Sequence, residues 1–313
     1  MTGPLQFQGL ESVALPARPL ELAIGMFDGV HRGHRAVVAS AVAAAKAEQG
    51  LAGVLTFWPH PSIFFRAPSP TRMIMAPADK VRALGALGIE AIITVNFTEE
   101  FARLPAEEFL PYLRRHLPQL RGVHVGDNWR FGRGRTGDSA LLVRAGAELG
   151  LRVVSVARVE AAGGPVSSTR IRELLAAGEM ARASELLGAP YVAHGVIAPG
   201  RQLGRTLGFP TLNLEWTPDL APRLGVYTVW LKGTKTAALP GVANYGLRPT
   251  VGGASAPRLE VHVLGDCPYG PGDEVAVEWL RFLRPEMKFA GLAELQAQVQ
   301  RDRAEARKEF SLR

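Results

Sequence analysis

The sequence predicts a mixed α/β domain built on a mostly parallel sheet, followed by a small antiparallel β-barrel closed by a terminal helix. Three observations predict it. Up to about residue 187, short apolar runs alternate with helical stretches, which is the rhythm of βαβ units. Beyond Ala189-Pro190, apolar runs of strand length follow one another between Gly/Pro-rich turns, which suits a small barrel. The length of 313 residues exceeds one ordinary domain, and two of about 100–200 residues are the natural division. The boundary is placed at Gly188-Ala189-Pro190, giving domains 1–187 and 188–313.

In the first domain the strands are expected at residues 21–24, 53–57, 91–95, 122–126 and 151–156. Each is a short apolar run of the kind a parallel sheet buries on both faces. The intervening helices are expected at 35–49, 78–87, 105–117 and 138–149, the first ending at Gly50, where glycine favours a helix stop. Ligands of such sheets bind beyond the carboxyl ends of the strands. Polar residues collect there: Phe27-Asp28-Gly29-Val30-His31, Trp58-Pro59-His60-Pro61, Asn96, and Asp127-Asn128. In the second domain the strands are expected at 191–198, 225–231, 241–245, 258–264 and 274–282, with one long helix over 292–310.

Composition excludes several classes. Hydrophobic residues make up 47% and charged residues 21%, enough apolar material for real cores, so the chain is not disordered as a whole. The apolar stretch 36–45 is interrupted by Ser40 and falls well short of the roughly 20 residues a membrane span needs. Met1-Thr2-Gly3-Pro4-Leu5-Gln6 shows no basic run leading into an apolar segment, so no export signal is expected. Cys267 is alone and cannot supply an internal disulfide or a cysteine-cluster zinc site. A soluble cytoplasmic protein without membrane partners is expected. The net charge of +7 is spread over both halves, a mild field that suits phosphorylated small molecules. No blocky basic stretch of the nucleic-acid-binding kind is present, so no nucleic-acid partner is expected. The excess of Arg over Lys is equally compatible with genome composition.

His31-Arg32-Gly33-His34 stands between an apolar strand and a helix. Two imidazoles three residues apart can both face a helix N-terminus, where backbone N–H groups already favour anions. Gly33 lets a phosphate approach the backbone. The arrangement suits nucleotidyl transfer, with the histidines stabilising charge on the transferred group. Two incidental loop histidines are the ordinary alternative. Ser167-Ser168-Thr169-Arg170-Ile171-Arg172 reads either as a simple helix cap or, given its two arginines, as a second anion site. The loop 126–135, with Asn128, Trp129 and Phe131 among arginines, can stack a flat ring and meet phosphate. It equally fits a single-stranded RNA loop.

In the second domain, Gly204 to Asn213 is a Gly-punctuated loop ending in Pro210-Thr211-Leu212-Asn213. In an extended segment Thr211 and Asn213 point the same way, and two oxygen donors can ligate Mg²⁺ at nucleotide phosphates. Ordinary turn residues are the plain alternative. Leu259-Glu260-Val261-His262-Val263 alternates, setting Glu260 and His262 on one face. A carboxylate on a rigid strand can take a proton from an attacking hydroxyl. The outward face of a barrel strand accounts for it as well.

Taken together, these elements resemble bacterial bifunctional riboflavin kinase/FAD synthetases from about residue 20 to the C-terminus. The resemblance rests on Gly25-Met26-Phe27-Asp28-Gly29-Val30-His31-Arg32-Gly33-His34, Thr56-Phe57-Trp58-Pro59-His60-Pro61, the 126–135 loop and Ser167 to Arg172. In the second half it rests on Pro210-Thr211-Leu212-Asn213, Gly225-Val226-Tyr227, Gly241 to Thr250, the strand with Glu260, and Leu283-Arg284-Pro285-Glu286 with Phe289. Met26, Trp129, Leu212 and Pro268 depart from the family's usual residues. The resemblance implies a Rossmann-like nucleotidyltransferase sheet followed by a flavokinase barrel. It implies that His31 and His34 handle ATP phosphates, assisted by Ser168, Thr169 and Arg172, with Asn128 and Phe131 near FMN. Gly25, Phe27, Asp28, Gly33, Gly208 and Arg284 join the cofactor-binding set, Thr211 and Asn213 take Mg-ATP, and Glu260 is the kinase base. The implied activity phosphorylates riboflavin to FMN and adenylylates FMN to FAD, with ATP, flavins and Mg²⁺ as partners. The alternatives are one competent domain of the two, or a flavin- or nucleic-acid-binding regulator that kept the folds without catalysis.

Overall fold

The computed structural model describes residues 3–65, 68–199, 208–247 and 257–311. Loop residues 204–207 and Arg248-Pro249-Thr250, which the sequence motifs include, lie outside them. The chain divides into two compact units, Met1–Ser168 and Thr169–Arg313.

The first unit is a six-stranded sheet in the order β1-β4-β3-β2-β5-β6, parallel throughout. Its strands are β1 (Leu5–Gln8), β2 (Leu20–Ile24), β3 (Leu51–Trp58), β4 (Ala91–Asn96), β5 (Leu120–Gly126) and β6 (Arg152–Val156). The helices are α1 (Arg32–Ala47), α2 (Ser62–Phe65), α3 (Pro77–Ala86), α4 (Glu99–Ala102), α5 (Phe109–His116) and α6 (Ser139–Glu148). The stretch expected as one helix over 105–117 forms a helix only from Phe109. Strand β2 is buried at every position because both its faces are covered. Leu22 and Ile24 enter one core with Leu110, Leu113 and Val125. Ala23 enters the other with Val38, Ala41 and Val54.

Glu21 is fully buried in β2, where an unpaired carboxylate would be prohibitive. Its oxygens meet His124 Nε2 at 2.8 Å and Arg152 at 2.6 Å, while Ser40 Oγ holds the other imidazole nitrogen at 2.8 Å. The carboxylate occupies the space a side chain at Gly122 would need: a Cβ there would sit 1.8 Å from Glu21 Oε2. Gly122→Ala is therefore expected to destabilise this unit by about 2–4 kcal/mol, because a paired buried charge must move. Urea unfolding checks it, and an unchanged midpoint would contradict the packing.

The end of α1 differs from expectation. The left-handed residue is Gln49, at φ 52°, rather than Gly50. Gly50 is needed for closeness instead: a Cβ there would lie 2.4 Å from the Pro19 carbonyl oxygen.

The second unit begins at Thr169, within α7 (Ser168–Ala177), and continues with α8 (Met180–Leu187), capped by Gly188 at φ 73°. A closed barrel follows, in the order β10-β11-β8-β7-β12-β9. Its strands are β7 (Tyr191–Ala198), β8 (Leu212–Glu215), β9 (Gly225–Lys232), β10 (Leu239–Leu247), β11 (Pro257–Val263) and β12 (Glu274–Arg284), all antiparallel. Alternation fills the interior with Tyr227, Tyr245, Leu259, Val261 and Trp279. The last helix, α9 (Leu292–Ser311), lies on the barrel, with Phe310 against Trp230 at 4.6 Å.

Candidate active sites

Because all six strands of the first sheet run parallel, the loops after β2, β3, β4 and β5 emerge at one edge. From β2 the chain steps outward to β3 and β4, then returns to place β5 on β2's other side. The edge between β2 and β5 is thus a topological switch point, where crevices form in such sheets. Loop 25–31 and loop 126–135 leave from these two strands.

Loop 25–31 is held in an uncommon shape. Phe27, Gly29 and Val30 have φ of 50°, 86° and 41°. For a buried β-branched residue such as Val30 this conformation is costly, and it persists only where surroundings enforce it. The surroundings are visible. The Asp28 carboxylate accepts from the Ile74 N–H at 2.9 Å. Lys80 Nζ donates to the Met26 carbonyl at 3.2 Å and to Thr56 Oγ1 at 3.3 Å, and Arg35 Nε donates to the Val30 carbonyl at 3.0 Å. Burial pushes the Lys80 ammonium below its usual range, opposed by the negative Asp28. At Gly25 a Cβ would press on the Phe27 ring at 3.3 Å.

The loop delivers His31 to the N-cap of α1, where its Nδ1 accepts from the His34 N–H at 3.2 Å. The two imidazoles stack with centroids 3.6 Å apart and planes 13° apart. Phe27 meets the His34 ring edge-on at 5.3 Å. Both rings therefore stand at a helix N-terminus, as the spacing around Gly33 predicts. A Cβ at Gly33 would lie 3.3 Å from the His31 ring. Ser168 Oγ donates to the Asp28 carbonyl at 2.9 Å, joining Ser168 to this loop. Thr169 and Arg172 are residues of α7 in the second unit.

Asn128 is exposed at the end of β5, whereas Phe131 is a core residue. The Phe131 ring stacks on Trp129 at 4.6 Å and packs against Phe109 at 5.2 Å. The aromatic pair read as able to stack on a flat ring is stacked on itself, and Trp129 is its more open member.

In the barrel, β8 and β11 pair so that Asn213 stands opposite Glu260. On the other side of β11, Glu260 stands opposite Asn244. Directly opposed residues share a sheet face, so Asn213, Glu260 and Asn244 form one polar row, all half-buried. Leu259, Val261 and Val263 take the interior face, as the alternation predicts. The sequence marks Asn244 only by its place in an alternating strand, which needs the β10–β11 register to become meaningful. Thr211 and Asn213 line a cleft of about 520 Å³ together with Ala198, Cys267 and Tyr269. Their donors are a hydroxyl and an amide oxygen, hard ligands of the kind Mg²⁺ takes. Gly208 sits at φ 78° in the turn leading to this segment. Among the described residues no group of three or more His, Cys, Asp and Glu side chains could hold a metal.

Arg284 has a partner of its own. Its guanidinium forks onto Asp302 of α9 at 2.8–3.1 Å, which Gln298 also supports at 2.8 Å. Here it pins α9 to the barrel. His262 shares the outer face with Glu260 but is buried rather than exposed, since Pro210 and Phe209 cover its side of β11.

The FAD synthetase family matches residues 16–170, and the riboflavin kinase family matches residues 187–310. The bifunctional riboflavin kinase/FMN adenylyltransferase of Escherichia coli (strain K12) is 38% identical over 298 residues, 95% of either chain. The proteins so named in Listeria monocytogenes and Bacillus subtilis (strain 168) are 34% and 32% identical, over 93% of this chain and 92% of theirs. A solved structure described as a macrolide-efflux protein from Streptococcus pneumoniae superposes with a TM-score of 0.87 at 28% identity, covering 98% of this chain and 99% of that one. Among the described residues no helix is long and apolar enough to cross a membrane. With both family matches in order along the chain and relatives aligned over more than nine-tenths of their length, the chain belongs to the bifunctional riboflavin kinase/FMN adenylyltransferases.

Proposed function

We propose that the barrel transfers the γ-phosphate of ATP to the 5′-hydroxyl of riboflavin, and that the parallel-sheet domain then transfers AMP from ATP to FMN, giving FAD and pyrophosphate. The observation that carries this is that each family match contains a built site. Residues 16–170 contain the stacked His31–His34 pair at the N-terminus of α1, and residues 187–310 contain the Asn213–Glu260–Asn244 row.

In the kinase step Glu260 accepts the proton of the riboflavin 5′-hydroxyl as its oxygen attacks the γ-phosphorus and ADP departs. Thr211 and Asn213 would hold Mg²⁺, which when bound neutralises phosphate charge. In the adenylyl step a phosphate oxygen of FMN attacks the α-phosphorus of ATP. His31, His34 and the α1 N–H groups donate to the oxygens where charge develops. Gly25, Phe27, Asp28 and Gly33 keep the loop close to the nucleotide, and Asn128 faces the flavin, with Phe131 shaping that wall from within the core. Ser168, Thr169 and Arg172 are assigned to the phosphates through their motif. Gly208 and Arg284 are assigned to the nucleotide through their motifs. The functional domains are taken as 1–187 and 188–313, supported by the Gly188 cap of α8 and by the second family match beginning at residue 187. A cytoplasmic setting belongs to the same reading, because both steps draw on ATP.

The test is ATP consumption by the purified chain with Mg²⁺. Turnover is expected only when riboflavin or FMN is added. Flavin-independent hydrolysis alone, or none, would contradict the reading.

A further inference from the structure

Strand pairing between β8 and β11 stops at Leu212–Val261, one residue short of Thr211. The next residue back, Pro210, has no N–H and cannot extend a ladder. Something else must fix the peptide that links Pro210 to Thr211, on whose orientation the Thr211 hydroxyl depends.

That role falls to His262, the residue after the last position at which β11 pairs with β8. Its Nδ1 lies 2.8 Å from the Pro210 carbonyl oxygen. A carbonyl only accepts, so Nδ1 carries the proton and donates. The ring is 8% exposed and is packed edge-on against Phe209 at 6.0 Å. Phe209 is in turn covered by the Arg303 guanidinium at 5.2 Å. His262 Nε2 is buried without a hydrogen-bond partner among the described residues. One donor from one nitrogen is what the site uses. Burial, together with Arg303 and Arg307, disfavours a second proton, consistent with that single-donor form.

We propose that His262 is a positioning residue of the kinase site: its Nδ1–H holds the Pro210 carbonyl and thereby sets Thr211 and Asn213 for the nucleotide. The inference rests on the reading that Thr211 and Asn213 take Mg-ATP. Glu260 stands two residues away on the same face, yet His262 reaches the segment leading into β8, so its effect should fall on ATP rather than on proton transfer.

The test uses the full chain, with His262→Ala, His262→Asn, His262→Gln and, as a reference, Thr211→Ala. Asparagine places an N–H₂ close to where Nδ1 lies, whereas glutamine reaches towards the position of Nε2. His262→Ala and His262→Gln are expected to raise KM for Mg-ATP about fivefold or more in riboflavin phosphorylation, the scale of one lost hydrogen bond. KM for riboflavin and the rate of FMN adenylylation should stay within about twofold. His262→Asn should recover most of the ATP affinity. If His262→Ala does not fold, the Asn–Gln comparison decides. Equal behaviour of Asn and Gln, or a parallel rise of both KM values, would overturn the proposal, since a merely structural ring moves everything together. If Thr211→Ala leaves KM for Mg-ATP unchanged, the underlying reading of the motif fails, and the inference with it. A normal His262 series beside a defective Thr211→Ala overturns the inference alone.

Discussion

His34→Ala is expected to lower FMN-to-FAD turnover by about 10²–10³, the usual loss when a donor to developing transition-state charge is removed. Riboflavin phosphorylation should be nearly unchanged, because His34 lies in the first unit and Glu260 in the second. His34 is a cleaner probe than His31. The His31 ring also caps α1 by accepting from the His34 N–H, so His31→Ala loses about 1 kcal/mol of helix stability along with its chemistry. The two rings stack at 3.6 Å, so their effects should not add: a double variant is expected to lose less than the product of the single losses. Paired assays supplied with FMN or with riboflavin check this, with circular dichroism as the control for folding. Equal loss of both activities in a folded protein would contradict the division of labour.

Glu260→Gln keeps the side chain's shape and its place opposite Asn213 and Asn244 but removes its proton affinity at neutral pH. General bases contribute on the order of 10²–10⁴ in rate. Phosphoryl transfer through a loose transition state asks less of a base until late. Riboflavin-to-FMN turnover should therefore fall at least about tenfold, a bound set below the general range. FMN-to-FAD turnover should remain near wild type. Wild-type kinase activity in the folded variant would return Glu260 to the role of an ordinary strand carboxylate on the barrel exterior.

Much of this was legible in the sequence because periodicity speaks directly about faces. The run at β11 alternates, and the structure buries Leu259, Val261 and Val263 while setting Glu260 apart. Strand β7 fills 191–198 as expected, because its apolar run is bounded by Pro190 and Pro199. Strand β1 is not legible in the sequence: Leu5–Gln8 alternates apolar and polar residues over only four positions and is a mostly exposed edge strand, and its pairing with β4 is a long-range event. Strand β8 is four residues long and stands among Gly and Pro. Register was also hidden. Asn244 matters only once β10 is placed beside β11, and a sequence does not say which strands of a barrel are neighbours. The motif implies a ligand-binding role for Arg284 and says nothing of its structural partner. Its forked pairing with Asp302, 18 residues on, depends on where α9 lies. The same holds for His262, whose ordinary appearance on a polar strand face conceals its reach to Pro210.

One measurement addresses the central claim, that two consecutive transfers are carried out by one chain. The purified protein is incubated with riboflavin, ATP and Mg²⁺, and the flavins are resolved by chromatography over time. FMN should appear first and FAD after it, with FMN alone accumulating in His34→Ala and neither product forming at the normal rate in Glu260→Gln. Absence of both products from the wild-type protein, or FAD formation that survives in His34→Ala at the wild-type rate, would contradict the account.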